Sequence, residues 1–167
     1  DNASTNENVS VTFSVTNNDY GTNAINVARV DLDPNSTGIQ GAYYAPGQGQ
    51  FYVDMLGNVT FTPDPYYYGT VVIPYTVKDV MGLVSNTANI TVVVNWVNSA
   101  PFAIDDAIST NEDVPVSYDI TNNDYDLDGY VDSSKVDLDP LTAGIQTTYT
   151  VSGQGTYTVS ALGIVTF

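Results

Sequence analysis

The sequence predicts an all-β chain made of two tandem β-sandwich repeats, the second incomplete. Three observations point to it: the chain repeats itself, strand-type alternation runs throughout, and no sustained i, i+3, i+4 apolar pattern of a helix is present. Residues 1–20 (DNASTNENVSVTFSVTNNDY) return at 106–125 as DAISTNEDVPVSYDITNNDY. VDLDPNSTGIQ at 30–40 returns at 136–146 as VDLDPLTAGIQ, and GQGQFYVDMLGNVTF at 47–61 returns at 153–167 as GQGTYTVSALGIVTF. The offset is 105 before the loop at Tyr20 and Tyr125 and 106 after it, so the second copy carries one extra residue there. An ordered match in three separate blocks excludes chance similarity.

Each element follows from its own pattern. Val9, Val11, Phe13 and Val15 alternate with polar residues, as in a half-buried strand. The runs 51–55 and 59–61 flank Leu56-Gly57-Asn58, a tight hairpin turn. Thr70–Val77 and Ile90–Val94 are β-branched runs that read as central strands. Turn signals every 8–12 residues or so predict about seven strands per copy. Boundaries follow: residues 1–97 form the first repeat, 98–104 (NSAPFAI) a short linker stiffened by Pro101, and 105–167 the second repeat. The second copy stops at Phe167, the counterpart of Phe61, and lacks the equivalent of Thr62–Trp96. It is therefore not expected to close as a sandwich. Either the chain continues with a stretch resembling Thr62–Val94, the version favoured here, or a neighbouring molecule donates strands.

Composition narrows the function classes. Nineteen acids against three bases give a net charge of −16, a field that repels nucleic acid and anionic membranes and attracts cations. The acids are spread between β-rich runs and accompanied by 13 Tyr, so the chain reads as folded with an acidic surface rather than as an acidic tail. Without Cys there is no disulfide framework and no thiolate metal site. No apolar run approaches the roughly 20 residues of a membrane-spanning helix, and no membrane insertion is expected. The opening Asp-Asn-Ala-Ser is not a signal peptide, so the sequence is expected to be an internal piece of a longer protein.

A series of motifs occurs in fixed order: Asn111-Glu112-Asp113, Asn123-Asp124-Tyr125-Asp126-Leu127-Asp128-Gly129, Gly57-Asn58-Val59-Thr60-Phe61-Thr62-Pro63, Tyr67-Tyr68-Gly69, Tyr75-Thr76-Val77-Lys78-Asp79 and Ala88–Val94. Together they resemble the immunoglobulin-like, cadherin-like tandem repeat of very large bacterial cell-surface adhesins. The resemblance covers almost the whole chain. It implies seven-stranded immunoglobulin-like sandwiches, export to the bacterial cell surface, and Ca2+ at or near domain junctions.

The residues offer one candidate site for such an ion. Asp124, Asp126 and Asp128 alternate and can converge on a hard cation, and Gly129 permits a sharp turn. The start fits an EF-hand loop, but Lys135 stands at the twelfth position, where that motif requires Glu. Asp132 and backbone carbonyls are further donors, and the cadherin-like resemblance adds Glu112, Asp105 and Asp106. A solvated acidic turn explains the same residues without an ion. The first copy keeps only Asp19 of this loop. Asp31 and Asp33, with Asp137 and Asp139, read as a solvated strand edge that discourages edge pairing.

Tyr43-Tyr44 and Tyr66-Tyr67-Tyr68 could stack on sugars, although tyrosines more often cover the end of a core. Lys78 beside Asp79 raises an intramolecular isopeptide, which nothing in the spacing demands. Asn-x-Ser/Thr sequons stand at Asn2, Asn8, Asn35, Asn58 and Asn89. With no His or Cys and no nucleophile or phosphate-loop motif, catalysis has little to stand on. A two-carboxylate glycosidase is disfavoured because the acids lie in duplicated loops. The expected role is a stalk spacer contacting neighbouring repeats or subunits. The rivals are a filament or surface-layer subunit that exchanges strands and a module binding surface glycans.

Overall fold

The computed structural model describes residues 1–167 as two units, Asp1–Val97 and Asn98–Phe167. Asn98–Ile104, predicted as a linker, lies with the second of them.

Eight strands build the first unit: β1 (Asn2–Asn6), β2 (Val11–Ser14), β3 (Ile25–Asp31), β4 (Ala42–Ala45), β5 (Gly49–Val53), β6 (Asn58–Pro63), β7 (Gly69–Asp79) and β8 (Ala88–Asn95). They form two four-stranded sheets, ordered β1-β8-β7-β3 and β2-β6-β5-β4. Only the β1–β8 pair is parallel; the others are antiparallel. The two β-branched runs occupy β7 and β8, the inner strands of their sheet, as their composition requires. Pro74 is tolerated within β7 because pairing with β3 has already ended at Thr76, so the missing N–H leaves no ladder bond unmade.

Alternation sends Val71, Ile73, Tyr75, Val77, Ile90, Val92 and Val94 of one sheet against Val15, Ala45, Phe51, Val59 and Phe61 of the other. Phe51 and Phe61 are fully buried and tilted against each other at 4.5 Å. Gly49, opposite Pro63 across the β5–β6 ladder, is required by this packing. Its φ is +144°, and a Cβ there would clash with the Thr62 carbonyl oxygen and stand 2.8 Å from the Phe61 ring. The hairpin turn falls at Asp54–Gly57, slightly earlier than predicted. The Asp54 carboxylate receives the Leu56 and Asn58 amides at 2.8 and 2.9 Å.

The second unit contains one such sheet. Strands β9 (Ser117–Asp119), β10 (Thr148–Val151), β11 (Gly155–Val159) and β12 (Ile164–Thr166) are ordered β10-β11-β12-β9, the counterpart of β4-β5-β6-β2. Local devices recur intact. Asn8 and Asp113 both turn through a left-handed conformation, at φ 60° and 62°. The Tyr157–Phe167 ring pair repeats Phe51–Phe61 at 4.6 Å. The counterparts of β1 and β3 do not form strands, because their only partners in the first unit are β8 and β7. Val116, Ile120, Tyr157, Val165 and Phe167, which match buried or packed positions of the first unit, are left half-buried.

Candidate functional site

The Asp124–Gly129 loop follows β9 and is held by its own side chains. The Asp126 carboxylate receives the Asp128 and Gly129 amides at 3.1 and 2.9 Å, a turn that Asp makes readily. The same loop grips the segment by which the chain enters this unit. The Ser99 amide donates to Asp128 at 3.0 Å, and the Ile104 amide donates to Asp124 at 2.8 Å. Phe102 pairs with Tyr125 through reciprocal backbone bonds of 2.8 and 3.1 Å, with their rings stacked at 5.2 Å. The aspartates are therefore acceptors for a clasp around Ser99–Ile104.

The predicted ligands separate into groups. Asp124, Asp126 and Asp132 line one groove of about 500 Å³ together with Pro101, Tyr130 and Lys135. Asp132 also caps a 3-10 turn at Ser133–Lys135, receiving the Ser134 amide at 3.1 Å and its hydroxyl at 2.6 Å. The Ser134 bonds hold its carboxyl below the usual range. Glu112 lies in a different cleft, beside Gly153–Thr156 and Phe167. Asp105 and Asp106 are exposed, and only the Asp105 carbonyl is engaged, by the Asn123 side-chain Nδ2 at 3.4 Å. No three acidic side chains converge as a ready-made metal cluster. The donor set nevertheless suits a hard divalent cation in kind, since carboxylate and carbonyl oxygens are its preferred ligands. Asp124 and Asp126 each commit only one oxygen to backbone amides, one amide on Asp124 and two on Asp126, and face the same groove.

Two groups of acids carry roles that the sequence pattern did not disclose. Asp31 and Asp137 are not a solvated strand edge. Asp31 is 9% exposed and receives the Asp33 and Gln40 amides at 3.1 and 3.0 Å. Asp137 receives the Asp139 and Gln146 amides at 3.0 and 3.0 Å, although no strand forms there. The recurrence of Asp-x-Asp-Pro followed by Gln in both copies was the signal: it marks a loop closed on the first Asp, which in the first copy ends the edge strand β3. Glu7, the counterpart of Glu112, is 4% exposed, and one of its oxygens accepts the Val97 amide at 2.6 Å. Its other oxygen is buried without a partner.

In the first copy Asp19 serves the core. Tyr75 is 2% exposed, and its hydroxyl is shared between the Val15 carbonyl and the Asp19 carboxylate, both acceptors at 3.0 Å. Burial, with Asp19 adding to it, raises the Tyr75 pKa well above 10. A raised pKa means that the stabilisation is complete below the unfolded value near 10 and is lost as pH rises toward the folded value. Stability of the first unit should thus fall above about pH 10. Tyr75→Phe should cost about 1–2 kcal/mol at pH 8 and flatten that alkaline decline; denaturant melts at pH 8 and 11 measure both. An unchanged decline in the variant would assign the effect to another tyrosine. Among the aromatic runs, Tyr67 is half-buried against the core while Tyr68 is exposed. Lys78 sits half-buried in β7 opposite Asn26.

Two facing sheets with chain crossings between them, joined by turns and with no catalytic constellation gathered in a cleft, define an immunoglobulin-like β-sandwich repeat. The model of the bacterial Ig domain family matches residues 1–93, and the chain belongs to that family. No curated protein matches it. Domains of the family are structural and non-enzymatic, and typically surface-exposed and extracellular. No helix is long and apolar enough to cross a membrane.

Proposed function

We propose that this chain is part of the stalk of a bacterial surface adhesin. Its repeats act as spacers, and Ca2+ held by the Asp124–Asp128 loop limits flexing where one repeat follows another. The observation that supports this reading is the clasp: Asp124 accepts the Ile104 amide and Asp128 the Ser99 amide, so a cation held by Asp124 would restrain the entering segment. Asp124 and Asp126, with Asp132 beside them in the groove, are the side chains that would hold the ion. When bound, it would supply charge neutralisation among acids that otherwise repel one another.

Calcium should raise the melting temperature of the 167-residue chain, by the linkage expected when an ion binds only the folded state. At a concentration one-hundredfold above Kd this corresponds to about 2.7 kcal/mol. Asp124→Asn combined with Asp126→Asn should abolish the response, and a chain of residues 1–97 should respond much less. Identical melting in millimolar calcium and in chelator would remove calcium from the reading. Light scattering on the same samples addresses the filament alternative, which draws on the half-buried inner face of the second unit. Monomers favour a spacer; ordered polymers favour strand exchange.

A further inference from the structure

We propose that the outer face of the β4–β5 hairpin is a binding platform for neutral polysaccharide chains, built on Tyr44 and Tyr52. The register pairs Ala42 with Tyr52 and Tyr44 with Gln50, which sets the two tyrosines on one face at diagonal positions of adjacent strands. Diagonal neighbours of this kind stand about 7–8 Å apart, within the span of two linked sugar rings. Tyr44 is 56% exposed and Tyr52 is 59% exposed. Neither belongs to an aromatic pair; those pairs are Phe51–Phe61, Phe102–Tyr125 and Tyr157–Phe167.

The platform is pre-oriented. The Tyr44 hydroxyl donates to Asp64 at 3.1 Å, which fixes its ring and reduces the freedom lost when a ligand docks. Exposed Gln50 lies directly across from Tyr44, and Thr60 lies across from Tyr52 with its hydroxyl bonded to Thr12 at 2.8 Å. Apolar rings flanked by a few hydrogen-bonding groups are what a pyranose needs. Its C–H face packs on an aromatic ring while its hydroxyls reach the amide and hydroxyls at the edge.

Strand propensity alone would account for one exposed tyrosine, but comparison of the two repeats argues against it for this pair. The inward positions Tyr43 and Phe51 stay aromatic in the second copy, as Tyr149 and Tyr157. The outward positions Tyr44 and Tyr52 become Thr150 and Thr158. The sheet therefore needs aromatics on its inner face only, and the outer pair is an addition peculiar to the first unit. The net charge of −16 disfavours uronic or sulfated glycans and leaves neutral ones; among these, β-glucans and xylans, whose equatorial hydroxyls leave the C–H face of the ring flat, suit an aromatic surface. This platform does not depend on the calcium reading.

Native affinity electrophoresis of the whole chain in gels containing hydroxyethyl cellulose, laminarin or arabinoxylan tests it, with alginate as the anionic contrast. Retardation by at least one neutral glycan and none by alginate is expected. Tyr44→Ala and Tyr52→Ala should each weaken it about fivefold without shifting the melting temperature. Tyr66→Ala with Tyr68→Ala should leave it unchanged. No retardation by any neutral glycan, preferential retardation by alginate, persistence in the Tyr44→Ala, Tyr52→Ala double variant, or loss only on changing Tyr66 and Tyr68 would each overturn the proposal.

Discussion

Phe61→Ala should lower the unfolding free energy of the first unit by about 3–5 kcal/mol, whereas Phe167→Ala should cost about 1 kcal/mol or less. The two phenylalanines occupy equivalent positions, and their rings meet an aromatic partner at 4.5 and 4.6 Å. They differ in what lies above them. Phe61 is fully buried beneath the β1-β8-β7-β3 sheet, so its removal leaves a cavity that close-packed neighbours fill only in part. Phe167 is half-buried on a single sheet, where water already reaches the ring and takes the vacated space. Calorimetry of the two variants compares them directly. Equal losses would mean that the inner face of the second unit is covered.

Asp31→Ala should destabilise the first unit by about 3 kcal/mol, since it removes a carboxylate that receives two backbone amides and leaves both without a partner. Asp31→Asn keeps an acceptor oxygen and should lose only about 1 kcal/mol. The order Ala worse than Asn is the diagnostic. A solvated aspartate on a strand edge would make both changes nearly neutral. Melting temperatures of the three proteins decide it. Indifference to Asp31→Ala would show that the loop from Asp31 to Gln40 closes without that side chain.

Several parts of this molecule were legible because their cause is local. The hairpin turn around Gly57 depends on residues close in the chain, and the sequence displays it between two strand-type runs; the left-handed Asn8 and the close approach at Gly49 emerged only from the structure. Repetition carries the same devices into the second copy, where the left-handed Asp113 and the Tyr157–Phe167 pair form even without a second sheet. The aspartate loop was legible as a cation-type sequence. Its role as a clasp was not, because Ser99 and Asp128 lie far apart in the chain and meet only when the unit folds.

From sequence alone came the all-β class, the tandem repeat, the two central β-branched strands and the bacterial immunoglobulin-like resemblance. Tertiary structure alone decided which of several similar side chains face water. Tyr43 packs inward while Tyr44 points out, Glu7 is enclosed while Glu112 is exposed, and Asp19 pairs with Tyr75 instead of joining an acidic loop. The physical reason is that burial is set by partners distant in the chain. β1 becomes a strand and Glu7 a buried acid only because β8 lies alongside, whereas the similar stretch of the second copy, without that neighbour, is open to solvent.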